Sequence, residues 1–172
     1  MVVIPAYQAA ATLDVVITQA AQHLPVLVVD DGSTDDTGRV AEAAGAEVLR
    51  QEPNSGKGAA LRRGFGEALD RGIGTVVTLD ADGQHDPSCI PAFLDAWRRG
   101  GAPLIIGQRE FTRMPWSRRI ANELGTVVFS WAVGRHIAVT QSGYRLIGGP
   151  LLPLLLDSEE AGFEFEVEMI TL

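Results

Sequence analysis

Two acidic groups in this chain, Asp30-Asp31-Gly32-Ser33 and Asp80-Ala81-Asp82-Gly83-Gln84, each lie directly behind an apolar run. Asp80 and Asp82 are two apart, so in an extended segment both project to one side, and Gln84 continues the spacing. Hard oxygen donors of this kind suit Mg²⁺ or Mn²⁺. Such an ion keeps several waters and completes its shell with substrate phosphates, so a diphosphate is the expected second ligand. Four carboxylates in one crevice repel one another, and a divalent cation relieves the repulsion. A metal acting as a Lewis acid on a departing diphosphate is the chemistry of sugar transfer from a nucleoside-diphosphate sugar. Acids behind strands also cap helices, and Ser33-Thr34-Asp35 is expected to include such a cap.

The apolar runs at 2–4, 26–29, 46–49, 75–79 and 104–106 predict short strands buried on both faces. Between them, Leu13, Val16, Ile17, Ala20 and Leu24 recur with helical period, as do Leu61, Phe65, Ala68 and Leu69. Strand and helix alternate, which predicts an α/β fold: a Rossmann-like, mostly parallel sheet with helices on both faces. Ligands bind such sheets beyond the carboxyl ends of the strands, where both acidic groups and Pro5-Ala6-Tyr7 fall. Beyond Gly107 the sequence predicts an Arg-bearing loop, a helix from about 116 to 133, and a Gly-rich turn over 142–150. The last residues stop within an apolar-periodic run that lacks a capping residue, so 1–172 is expected to be a single domain truncated at its C-terminus.

A length of 172 residues with 46% hydrophobic and 21% charged residues supports one buried core. The net charge of −8 excludes nucleic acid as the expected partner, because a phosphate backbone would be repelled. Cys89 is alone and is expected to be a small buried apolar group. Neither a spanning helix nor a signal peptide is expected. Residues 54–58 hold Asn-Ser-Gly-Lys-Gly, but the full P-loop pattern is absent, as is a Gly-x-Gly-x-x-Gly fingerprint behind the first strand. Lys57 either reaches a nucleotide or is a solvated lysine in a Gly turn. His85, one residue past the acidic motif, either supports the metal-binding residues from behind or, as the favoured reading, faces solvent ahead of Pro87.

Ile4-Pro5-Ala6-Tyr7, Val29-Asp30-Asp31-Gly32-Ser33-Thr34-Asp35, residues 54–58, residues 79–87 and Gln141-Ser142-Gly143-Tyr144-Arg145 occur in this order over almost the whole chain. Together they resemble family 2 glycosyltransferases of the GT-A fold, and among these the dolichyl-phosphate or polyprenyl-phosphate mannosyl- and glucosyltransferases. The resemblance implies inverting transfer of a hexose from GDP-mannose or UDP-glucose to a polyprenyl or dolichyl phosphate. It also implies a cytoplasmic protein with a peripheral contact at the cytoplasmic membrane face. Carried over by position, Pro5, Ala6, Tyr7, Val29 and Asp31 would hold the nucleoside, with Asp31 accepting from base or ribose. Asp80, Ala81 and Asp82 would line the diphosphate, and Asp82 and Gln84, supported by Asp80, would hold the metal. Arg109 and Arg119 match arginines that meet donor or acceptor phosphate, a solvated surface role being the alternative for each. Asp82 and Arg109 are the expected catalytic residues, and Arg119, Ser142, Tyr144 and Arg145 are expected at the acceptor.

Two departures from that family pattern bear on function. Gln8-Ala9 stands where relatives usually have Asn-Glu, which removes one nucleotide contact. Val139 stands where many relatives have an aspartate that serves as base; a phosphate acceptor is already anionic at neutral pH and needs little deprotonation. Glu164 and Glu166 are alternative acids, although alternating Phe and Glu equally describes one amphipathic segment. Arg109, Arg113, Arg118 and Arg119 precede Ile120, Leu124, Val127, Val128, Phe129 and Trp131, which reads either as an interfacial helix or as an ordinary core helix. Two other classes stay open: a nucleotidyltransferase, disfavoured because no Gly-rich basic loop follows the first strand, and a catalytically impaired nucleotide-sugar-binding module.

Overall fold

The computed structural model describes residues 1–107, 142–158, 160, 162 and 164–171. In chain order the elements are β1 (Val2–Ala6), α1 (Leu13–Ala20), β2 (Val26–Asp31), α2 (Thr37–Ala43), β3 (Glu47–Gln51), α3 (Lys57–Asp70) and β4 (Thr75–Thr78). There follow a 3₁₀ turn (Pro87–Cys89), α4 (Ile90–Gly100), β5 (Leu104–Ile106), β6 (Arg145–Gly148), α5 (Leu151–Leu156) and α6 (Glu164–Thr171). The strands form one sheet in the order β3-β2-β1-β4-β6-β5. β1 pairs in parallel with β2 and β4, and β2 with β3; β6 is antiparallel to both β4 and β5.

Alternate residues of each strand feed two apolar layers, as the period-two geometry of a strand requires. Val2, Ile4, Ala6, Val28 and Val77 pack with Leu13, Val16, Ile17, Ile90 and Phe93 on one face. Val3, Leu27, Val29 and Val76 pack with Leu61, Phe65, Ala68, Leu152, Phe165 and Met169 on the other. Helix α3 lies so close to the sheet that a Cβ at Gly64 would come within 2.5 Å of Val3 Cγ1. Both predicted helical stripes are present, with Leu13, Val16, Ile17 and Ala20 buried, as are Leu61, Phe65 and Ala68; Leu24 falls past the end of α1, and it and Leu69 are only partly buried.

The structure corrects three expectations. The edge strands β3 and β5 are only partly covered, because an edge has a neighbour on one side alone. The Gly-rich turn expected over 142–150 contains a buried strand, β6, inserted antiparallel between β4 and β5. Gly148 permits this, since a Cβ there would meet Trp97 Nε1 at 2.6 Å. Cys89 ends the 3₁₀ turn and is exposed instead of buried. The helix expected from about 116 to 133, with its neighbouring arginines, lies outside the described residues. Among the described residues no helix is long and apolar enough to cross a membrane.

Candidate active site

The chain builds β2 and β3 outward from β1 in one direction and then crosses to β4 on the other side. The carboxyl ends of β1 and β4 therefore flank the point where strand order reverses, the place at which open α/β sheets bind ligands. A cleft of about 270 Å³ lies there, lined by Pro5, Ala6, Asp31, Lys57, Ala60, Asp80 and Asp82. Six of these seven residues are among the positions singled out from sequence.

The four strand-end carboxylates do not share one crevice as free anions, a correction to the repulsion expected between them. Asp30 is fully buried; it accepts from the Ser33 amide at 3.0 Å and lies 3.6 Å from Arg50 Nη1. It is a structural acid at the entry to α2. The N-cap of α2 is Asp36, which makes no side-chain cap bond, a correction to the cap expected within residues 33–35; Asp35 instead accepts from the Thr37 amide at 3.0 Å and from the Thr37 hydroxyl at 2.5 Å. These bonds hold the Asp35 carboxyl below its ordinary value. Asp31 is 3% exposed and accepts from Gln51 Nε2 and from the amides of Ser55 and Gly56.

Lys57, the first residue of α3, places Nζ 2.6 Å from Asp80 Oδ1 and 3.0 Å from Glu166 Oε2. Its side chain is 21% exposed, which excludes the solvated reading. Burial by itself would lower its pKa, but the carboxylates of Asp80 and Glu166 outweigh that and raise it. Burial likewise would raise the Asp80 pKa, and the hydrogen bond from His85 with the Lys57 charge reverses the effect, holding the carboxyl well below its usual range. His85, expected in solvent, is buried, with Nε2 3.1 Å from Asp80 Oδ2. Gly143 is required beside this group, since a Cβ would overlap the Asp80 carboxylate.

Asp82 differs from the other three acids. It is exposed, and it accepts from the Gln84 amide at 2.9 Å, which closes the turn beyond β4. Gln84 is also exposed. Among the described residues no three His, Cys, Asp or Glu side chains converge into a ready-made metal cage. A hard divalent cation held by one or two carboxylates and completed by phosphate oxygens needs no such cage, so the exposed Asp82 carboxylate beside Asp80 fits that use.

Several expected roles are not supported by where the side chains lie. Val29 is fully buried in the α3-facing layer and cannot touch a nucleoside with its side chain. Ala81 turns its carbonyl to Thr12 Oγ1 at 2.6 Å. Tyr7 is 54% exposed just beyond β1. The acceptor residues Ser142, Tyr144 and Arg145 are 2%, 5% and 1% exposed, so none presents its side chain to an acceptor. Arg145 donates Nε to the Ser142 carbonyl at 2.8 Å and Nη1 to the Glu166 carbonyl, tying β6 to α6. Tyr144 stacks on Phe93 with ring centroids 4.5 Å apart and donates its hydroxyl to the Asp86 carbonyl. Its phenol pKa is pushed up by burial, then by Cys89 and Asp86. Of the two alternative acids, Glu166 reaches the site through Lys57, whereas Glu164 is exposed. Arg109, Arg119 and Val139 lie outside the described residues.

The segment after β1 departs from the usual family residues yet is closely held. The Gln8 amide donates to Ser33 Oγ at 3.0 Å, and the Ala9 amide to Thr37 Oγ1 at 2.8 Å. Gln8 has φ of 54°, a left-handed conformation in which Asn is favoured over Gln.

This fold with its strand-end cleft is that of a GT-A glycosyltransferase, and the family model for glycosyl transferase family 2 matches residues 1–147. The chain belongs to that family. It is similar to an undecaprenyl-phosphate mannosyltransferase of Micrococcus luteus, 33% identical over 98% of this chain and 75% of that protein. It is also similar to a polyprenol monophosphomannose synthase of Mycolicibacterium smegmatis, 30% identical over 98% of this chain and 69% of that one. A crystal structure of glucosyl-3-phosphoglycerate synthase from Mycobacterium tuberculosis with Mn²⁺, UDP and glucosyl-3-phosphoglycerate superposes with a TM-score of 0.78 at 24% identity. That match covers 98% of this chain and 62% of the other, so this chain spans less than two thirds of that enzyme.

Proposed function

We propose that this chain transfers a hexose, with inversion, from GDP-mannose or UDP-glucose to a polyprenyl or dolichyl phosphate. The observation that carries the reading is the cleft at the strand-order reversal, where Asp31, Lys57, Asp80 and Asp82 converge. The names of the two bacterial relatives, both of which act with polyprenol-type lipids, favour the lipid-phosphate acceptor. In the reaction an acceptor phosphate oxygen attacks the anomeric carbon as the bond to the donor diphosphate breaks. The nucleoside diphosphate leaves with the electron pair. Attack from the face opposite the leaving group inverts the configuration, and the anionic acceptor needs no strong base.

The residues divide this work by chemistry. Pro5 and Ala6 floor the cleft, and Asp31 orients the nucleoside. Lys57 offers an ammonium to the diphosphate, exchanging part of its pairing with Asp80 and Glu166 for phosphate oxygens. Asp82, with Asp80 and Gln84 beside it, would hold Mg²⁺ or Mn²⁺, which when bound neutralises charge on the leaving diphosphate. A lipid-phosphate acceptor places the chain at the cytoplasmic membrane face as a peripheral protein.

The test is calorimetric titration of GDP-mannose and UDP-glucose with and without Mn²⁺, on the parent and on Asp82→Ala, followed by turnover with undecaprenyl phosphate. Metal-dependent binding of one donor, lost in the variant, and a glycosyl-phospholipid product are expected. Transfer to a free saccharide with no lipid phosphate present would refute the acceptor, and absence of donor binding would refute the donor site.

A further inference from the structure

Asp31 ends β2 and lines the cleft, yet the residue is only 3% exposed. Oδ1 accepts from Gln51 Nε2 at 2.5 Å and from the Ser55 amide at 2.8 Å. Oδ2 accepts from the Gly56 amide at 2.9 Å. A carboxylate has about four acceptor positions, two on each oxygen. Oδ1 is therefore full, and one position is left on Oδ2. Two of the donors are main-chain amides fixed by the turn into α3. The third is a side chain, placed by the parallel register in which Asp31 of β2 lies opposite Gln51 of β3.

We infer that the donor nucleobase offers a single N–H to Asp31, so the nucleotide carries an imide base, uracil or thymine, and not guanine. This inference rests on the proposed function, in which Asp31 meets the nucleoside. Uracil and thymine present one N3–H flanked by carbonyls, which matches one open position. Guanine presents N1–H and N2–H side by side, a pair suited to a carboxylate with both oxygens open. At Asp31 the second guanine donor finds Oδ1 already occupied, and leaving a buried donor unpaired is costly. Adenine and cytosine place a ring-nitrogen lone pair next to their amino group, and that lone pair would face the carboxylate. Gln51 is thus a specificity-determining residue that acts through Asp31, by filling the position guanine would need.

The experiment is calorimetric titration of UDP, dTDP, GDP and ADP in the presence of Mn²⁺, on the full chain and on Gln51→Met. The nucleotides are used without sugar so that only the base and its ribose vary. In the parent, UDP or dTDP is expected to bind about ten- to a hundredfold tighter than GDP, the equivalent of one unpaired buried donor. UDP and dTDP differ in the C5 methyl and in the ribose 2′-hydroxyl, so their comparison shows which of the two imide nucleotides the site takes. Gln51→Met opens Oδ1, and the preference for UDP over GDP is expected to narrow about tenfold. GDP binding tighter than UDP in the parent would overturn the base assignment while leaving the donor site intact. Binding of no nucleotide would overturn the donor-site reading and this inference together. An unchanged UDP-to-GDP ratio in a folded Gln51→Met protein would remove Gln51 as the determinant, and the parent ratio decides the base even if that variant does not fold.

Discussion

Replacing Lys57 by methionine keeps the length and apolar stem of the side chain and removes only the ammonium. Asp80 and Glu166 then lose the cation that lies 2.6 and 3.0 Å from them, at a site where the Lys57 and Asp80 side chains are only about one-fifth exposed. Stripping one partner from a largely buried ion pair costs on the order of 3 kcal/mol, because the remaining charge stays desolvated. For a chain of 172 residues that corresponds to a fall in melting temperature of about 6–12 °C. The loss depends on pH in a definite direction. The Asp80 carboxyl is held below its ordinary value and the Lys57 ammonium above its own. The pairing contributes fully between about pH 4 and pH 10, fading as acid protonates Asp80 and as alkali deprotonates Lys57. Melting curves of the parent and Lys57→Met are therefore expected to differ most near neutrality and to converge on acidification. A double-mutant cycle with Asp80→Asn should return a coupling of about 1 kcal/mol or more. A variant that melts within about 1 °C of the parent at pH 7, with no coupling to Asp80, would refute the assignment.

Gly143→Ala is expected to cost about 1–3 kcal/mol and to weaken Mn²⁺-dependent donor binding, because its Cβ would overlap the Asp80 carboxylate; thermal melts and calorimetry read the two effects separately. Arg145→Met should destabilise by about 2–4 kcal/mol in urea titrations, since the carbonyls of Ser142 and Glu166 lose a buried charged donor and α6 loses its tie to β6. Gln8→Asn is expected to stabilise by about 0.5–1 kcal/mol, seen as a small rise in melting temperature, because Asn tolerates the 54° φ better than Gln does.

The motif residues were legible before any fold was known because they follow strands at fixed offsets. Pro5, Ala6, Asp31, Lys57, Asp80 and Asp82 belong to separate segments, and all six line one cleft. Apolar runs and helical stripes gave the α/β class, since burial on two faces leaves a periodic trace in the chain. β6 escaped notice because Arg145 and Gly148 at its ends are not strand-like, and its pairing partners lie far away in sequence. His85 was misplaced for a similar reason: what buries it is Tyr144, 59 residues further along, with ring centroids 5.3 Å apart. Val29 was misjudged because a strand's alternation decides which side chains face the cleft, and that phase is fixed only once the sheet has formed.

Residue types and their order by themselves pointed to acids meeting at one edge of a sheet and to a diphosphate as their expected ligand, while Lys57 stayed open between a nucleotide contact and a solvated turn. Those features are local, written within a few residues of each strand end. Which acid stays exposed, which is neutralised and by what was decided only by the tertiary structure. Asp30 and Asp31 are adjacent in sequence, yet one is closed off with Ser33 and Arg50 and the other lines the cleft with three donors on its carboxylate. Partners such as Gln51, Glu166 and Gly143 come from other strands, helices and turns, and the register and packing that bring them within about 3 Å exist only in the folded sheet.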